Sequence, residues 1–64
     1  MTQSEMEEAV TKVDGLGGMT VNERLYVTGL MDEFDKAVKS DKQKAKTILT
    51  LIGVDQRSID QIIV

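Results

Sequence analysis

The 64-residue sequence contains no cysteine and no histidine, and this double absence constrains its fold more than any other feature. A chain of this length buries only about 60% of the surface that its unfolded form exposes, so its core contributes little free energy. Small domains usually add disulfides or a structural metal ion, which need side chains that this chain lacks. We therefore expect regular helix packing or association with another chain to stabilise it, and we expect no metal ion and no cofactor.

The composition is that of a soluble globular chain, with 41% apolar and 30% charged residues. Unbroken apolar runs are short, as in Ile62-Ile63-Val64, so no membrane-spanning segment is expected. The first residues, Met1 to Glu5, are polar and acidic and lack the basic and apolar stretches of a secretory signal. These features predict a cytoplasmic protein of one domain.

Apolar residues recur at spacings of three and four, which predicts helices and no strands. The predicted helices run from Gln3 to Val13, from Val21 to Ser40, from the cap Asp41 to Ile52, and from the cap Asp55 onward. None of them can bury its apolar face alone, so the sequence predicts an all-α fold, a small bundle of three to four short helices. Residues 1–18 are interpreted as an N-terminal helical arm with a glycine-rich joint, and residues 19–64 as the helical domain.

Short patterns mark the ends of these helices. Ser4 with Glu7 and Thr20 with Glu23 have the spacing of a capping box, in which each side chain accepts a hydrogen bond from the other residue's amide. Gly53 follows the third helix and is expected to adopt the left-handed conformation that ends helices.

The longest predicted helix, 21–40, carries apolar residues on two faces. Seven of them share one arc of roughly 140° on a regular helix, the width of a core-facing surface: Tyr26, Val27, Leu30, Met31, Phe34, Ala37 and Val38. Val21, Leu25 and Gly29 form a second, narrow line on the opposite, charged side. One small core cannot cover both faces, so we expect the second line to contact another helix outside the core.

The segment Met19-Thr20-Val21-Asn22-Glu23-Arg24-Leu25, continued by Gly29-Leu30, Phe34-Asp35 and Ala37, resembles a known group of sequences. These are short, uncharacterised helical proteins of bacteria, mainly proteobacteria, that open near Met-Thr-Val-Asn-Glu-Arg-Leu. The resemblance covers residues 19–37 and implies a bacterial or phage source, with no activity attached to it.

Catalysis is disfavoured by elimination, because histidine and cysteine are the usual general base and nucleophile. Capping explains the serines, which lie at or near helix starts: Ser4, Ser40 and Ser58. Asp32, Glu33 and Asp35 point in three directions on a helix, and Asp32 with Lys36 and Asp35 with Lys39 are spaced as ordinary ion pairs. The segment 15–18 lacks the flanking strand and lysine of a phosphate loop and is interpreted as a hinge. We expect no enzyme.

Charge is unevenly distributed along the chain. Residues 1–35 hold 8 acids against 2 bases, and residues 36–46 hold 5 lysines against 1 acid. These lysines form a basic ridge around residue 41, which is most simply explained as a solvated face. The ridge consists of Lys36, Lys39, Lys42, Lys44 and Lys46. Residues 41–64 also have the spacing of a helix-turn-helix, but the would-be recognition helix offers one base, Arg57, so nucleic acid is not the expected partner.

These observations favour a non-enzymatic helical protein-interaction module, a regulator or inhibitor that occupies a partner protein's surface and forms a homodimer. The candidate interaction residues are Val21, Leu25, Gly29, Ile62 and Ile63. The alternative is a DNA-binding regulator that uses the helix-turn-helix of residues 41–64.

Overall fold

The computed structural model describes residues 1–63, which form five α-helices and one 3₁₀ turn and include no strand. The all-α prediction is confirmed, but the described residues form five α-helices where three to four were predicted. In chain order the elements are α1 (Gln3–Thr11), the 3₁₀ turn (Leu16–Gly18), α2 (Val21–Val27), α3 (Met31–Ser40), α4 (Lys42–Leu51) and α5 (Gln56–Ile62). Val64, named above in the apolar C-terminal run, lies outside the described residues. None of the described helices has the length and hydropathy needed to cross a bilayer.

Capping boxes begin α1 and α2. At α2 the Glu23 amide donates to Thr20 Oγ1 at 3.1 Å and the Thr20 amide donates to Glu23 Oε1 at 3.0 Å, as predicted. At α1 the predicted box is wrong by two residues, because Thr2 and Glu5 make the reciprocal bonds at 3.2 and 2.8 Å. Ser4 therefore lies within α1.

The predicted aspartate caps are confirmed at α4 and α5. Asp41 Oδ1 accepts from the Lys44 amide at 3.2 Å. Asp55 Oδ2 accepts from the Ser58 amide at 3.1 Å, and its Oδ1 accepts from the Ser58 hydroxyl at 2.8 Å. Each cap satisfies an amide that the helix itself leaves without a partner.

The prediction of one continuous helix over residues 21–40 is wrong, because the helix is interrupted at Gly29. Gly29 has a φ of +74°, its amide donates to the Tyr26 carbonyl at 3.1 Å, and the Leu30 amide donates to the Leu25 carbonyl at 3.0 Å. This pair of bonds is a Schellman motif, which ends a helix at a left-handed glycine. A new helix, α3, then starts at Met31.

The same motif ends α4, where it was predicted. Gly53 has a φ of +86°, its amide donates to the Thr50 carbonyl at 3.1 Å, and the Val54 amide donates to the Leu49 carbonyl at 3.0 Å.

The core is centred on α4, which contacts α1, α3 and α5, while α2 packs on α3. Ten apolar residues are buried: Met6, Leu25, Leu30, Ala37, Ala45, Ile48, Leu49, Ile52, Ile59 and Ile63. Met6 belongs to α1, so the predicted boundary between residues 1–18 and residues 19–64 does not separate two cores.

The break at Gly29 reassigns the apolar residues of α2. Leu25 is only 1% exposed and Val21 packs against the core, whereas Tyr26 is 78% exposed and Val27 42% exposed. The prediction that Leu25 lies outside the core is therefore wrong, as is the placement of Tyr26 and Val27 on the core-facing arc. In a continuous helix Tyr26 would share the face of the buried Ala37. Because the helix is interrupted at Gly29, Leu25 faces the core instead.

The single chain is as compact as a folded monomer of its size. Its accessible surface is 4226 Å², against about 4,100 Å² expected for a folded monomer of 7.1 kDa. Leu25 of the second apolar line is buried and Val21 packs against the core, so this line needs no contact outside the chain.

Candidate functional site

An open groove lies where α2 meets the start of α3. It has a volume of about 560 Å³ and is lined by Met19, Asn22, Glu23, Tyr26, Val27 and Met31. Tyr26 is the most exposed of the large apolar residues in the described chain. Aromatic rings left in water beside an apolar groove are typical of protein-binding surfaces.

Glu23 provides the one charged side chain of this lining. Its carboxylate accepts the Thr20 amide in the capping box, and this hydrogen bond holds the pKa of Glu23 below its ordinary value. The groove therefore combines apolar side chains with a carboxylate whose ionised form is stabilised.

Arg24 fixes one wall of the groove, a role that the sequence analysis missed. Its Nε–H donates to the Met19 carbonyl at 3.0 Å, and its Nη1–H donates to the Ile52 carbonyl at 3.2 Å. A third bond of 3.5 Å reaches the Gly17 carbonyl. One guanidinium thus ties the glycine-rich segment, α2 and the C-terminal end of α4 together.

The five predicted interaction residues occupy different environments. Leu25 and Ile63 are in the core, at 1% and 7% exposure, so neither is available to a partner in the folded chain. Val21 is half-buried against the core, and Gly29 and Ile62 are exposed on separate elements, the α2–α3 turn and α5. The structure offers no common surface made of all five.

One lysine of the basic ridge, Lys44, forms an ion pair between α4 and α3. Lys44 Nζ lies 3.0 Å from Glu33 Oε2, and the N-terminal ammonium lies 3.4 Å from the same oxygen. The hydrogen bond from Lys44 lowers the pKa of Glu33. Lys36 and Lys39 remain exposed on α3.

Within residues 1–63 no three acidic side chains lie close enough together to hold a metal ion. The Ser58 hydroxyl is bound to the cap Asp55, and the Ser40 hydroxyl donates to the Lys36 carbonyl at 2.9 Å.

The helix-turn-helix alternative depends on α4 and α5, which contact each other across the turn at 52–55. The exposed charges of α5 are Arg57 and Asp60, which cancel. Phosphate binding relies on net positive charge, so this geometry adds no support to DNA binding, which stays a prediction.

Comparison with models of protein families, with curated proteins and with solved structures finds no match to this chain. The resemblance of residues 19–37 to short bacterial proteins stays a prediction. The groove beside Tyr26 is the feature of the fold that points most directly to a function.

Proposed function

We propose that this chain is a non-enzymatic protein-interaction module, a small regulator or inhibitor that binds a partner protein through the groove beside Tyr26 and also forms a homodimer. The observation that carries the proposal is the position of Tyr26, 78% exposed above an apolar groove of about 560 Å³. Tyrosine is enriched among the residues that dominate binding energy at protein interfaces.

The groove's chemistry defines the partner's side of the contact. Val27 and Met31 offer apolar surface, and methionine adapts its shape to different ligands. The Glu23 carboxylate at the rim attracts a cation. The matching partner surface therefore carries an aliphatic or aromatic side chain with a lysine or arginine beside it. The acid-rich first 35 residues, with 8 acids against 2 bases, favour the same kind of basic partner.

The groove is also held in shape before a partner arrives. Arg24 bonds the Met19 carbonyl to the rest of the fold, and the Schellman motif at Gly29 fixes the angle between α2 and α3. A preformed groove loses less conformational entropy on binding, which favours affinity from a small contact area.

Site-specific photocrosslinking tests the proposal. A photoreactive benzoyl-phenylalanine replaces Tyr26 in one variant and the exposed Gln61 of α5 in a control, and each variant is irradiated in cells of the source organism. We expect a discrete adduct at position 26 that is absent at position 61. The partner protein in the adduct is identified by mass, and this partner is then purified on its own.

The purified partner gives the decisive measurement. Tyr26→Ser should weaken its affinity about tenfold or more, the usual loss at a dominant interface residue. Ile62→Ser, which changes a side chain of 44% exposure on α5, should leave the affinity unchanged. The proposal is overturned if position 26 crosslinks no more than position 61, or if both substitutions have the same effect.

A further inference from the structure

The exposed face of α3 separates its charges by sign. Asp32 and Asp35 lie in its N-terminal half, and Lys36 and Lys39 lie in its C-terminal half, all four exposed. Beside them on the helix lies one exposed apolar side chain, that of Val38. Val38 is 38% exposed.

No ion pair of the described residues involves any of these four side chains. Among the ion pairs of residues 1–63, none joins Asp32 to Lys36 or Asp35 to Lys39, although the spacing had predicted both. Four charges are thus available to a partner, arranged as an acidic half and a basic half of one helix.

Stabilisation of α3 by its own dipole accounts for only part of this arrangement. Acidic residues in the first turn and basic residues in the last turn favour a helix, which explains Asp32 and Lys39. The dipole effect fades beyond the end turns, so it does not explain Asp35 and Lys36 in the middle of the helix.

We propose that the outer face of α3 pairs with the same face of a second copy, with the two helices antiparallel about a twofold axis. The inference rests on the proposed function, because self-association is part of it. In this arrangement the acidic half of each helix lies beside the basic half of the other, and Val38 adds an apolar contact. A parallel pairing would place like charges together.

The size of the face sets the strength of the dimer. A standard stable interface buries about 800 Å² per partner, roughly a fifth of the 4226 Å² surface. The 10 residues of α3 span only about 15 Å, so one helix face covers less than that. The expected dimer is therefore weak and concentration-dependent.

Sedimentation equilibrium from micromolar to millimolar concentration tests the pairing. The wild-type mass should rise from 7.1 kDa towards twice that value. The double variants Lys36→Glu/Lys39→Glu and Asp32→Lys/Asp35→Lys make the face wholly acidic or wholly basic, and each alone should stay monomeric. An equimolar mixture of the two should regain the dimer mass, which a variant that had failed to fold would not do.

A control variant separates the face from net charge. Lys12→Glu/Arg57→Glu changes the net charge as much as Lys36→Glu/Lys39→Glu but leaves α3 intact, so it should associate like the wild type. The proposal is overturned if the wild type stays at 7.1 kDa throughout, if either α3 variant associates like the wild type, or if the mixture stays monomeric. The α3 variants change none of the residues that line the groove, so the Tyr26 crosslinking result is judged separately.

Discussion

Replacing Gly29 by alanine perturbs the break that organises α2 and α3. Gly29 has a φ of +74°, and nothing lies within 4 Å of a Cβ added there, so the substitution meets no steric clash. The cost is conformational, because an L-residue in the left-handed region loses about 1–2 kcal/mol. Alanine also restricts the unfolded chain, which offsets part of that loss. We expect a net loss of about 1 kcal/mol and a fall in Tm of about 4–8 °C for a domain of this size.

Thermal unfolding followed by circular dichroism measures the effect. Gly29→Asn should lose less than Gly29→Ala, because asparagine tolerates the left-handed region better. Gly17 is the matched control, since it also has no neighbour within 4 Å of an added Cβ but does not have a positive φ. Gly17→Ala should leave Tm unchanged or raise it slightly.

A higher Tm for Gly29→Ala would refute the reasoning. In an uninterrupted helix from 21 to 40, alanine is more stable than glycine by about 1 kcal/mol, so the sign of the change separates the two folds. A continuous helix would return Tyr26 to the core-facing arc and remove the proposed groove.

Other substitutions test the remaining contacts. Leu25→Ala should cost about 2–5 kcal/mol in denaturant unfolding because its side chain is buried, whereas Tyr26→Ala should stay within about 0.5 kcal/mol. Arg24→Lys should cost about 1–3 kcal/mol, because an ammonium cannot reproduce the forked bonds to three carbonyls. Thr20→Ala should cost about 1 kcal/mol. The folded-state pKa of Glu23 is below its ordinary 4.5, so its contribution is complete above that pH and is lost as the pH falls below it. In Thr20→Ala the residue-20 amide still donates to Glu23 and only the contribution of the hydroxyl is lost, so the NMR-measured pKa of Glu23 should rise only part of the way towards 4.5 and the acid-dependent loss should shrink in proportion.

Local signals in the sequence predicted much of the helical structure. The capping box at Thr20, the aspartate caps at Asp41 and Asp55, and the left-handed Gly53 each depend on side chains within a few residues of the helix end. Such signals act before tertiary packing does, so they can be predicted without knowledge of the fold.

The break at Gly29 carried a local signal that the periodicity obscured. Leu25 to Leu30 and Leu49 to Val54 share one pattern, an apolar residue four before the glycine and another directly after it. At Gly53 the apolar spacing stops, and the helix end was predicted. At Gly29 apolar residues continue at spacings of three and four on both sides, so one long helix was predicted instead of two.

Other features depended on tertiary structure and could not be predicted from spacing. The Arg24 guanidinium bonds the carbonyl of Ile52, 28 residues away, and only the packed fold brings the two together. The burial of Ile63 likewise depends on how α5 packs on α4. The burial of Leu25 was mispredicted for the same reason, because the orientation of α2 decides which of its apolar residues reach water.

Tyr26 is the only tyrosine of a chain without tryptophan, so its fluorescence reports directly on the site. Acrylamide quenching at a concentration where the chain is monomeric measures how freely solvent reaches this ring. Since the side chain is 78% exposed, quenching should approach that of free N-acetyl-tyrosinamide. It should fall when the wild-type chain binds the partner that the crosslinking identified. Quenching as weak as that of a buried tyrosine in the isolated chain would place Tyr26 in the core and contradict the proposed interaction site.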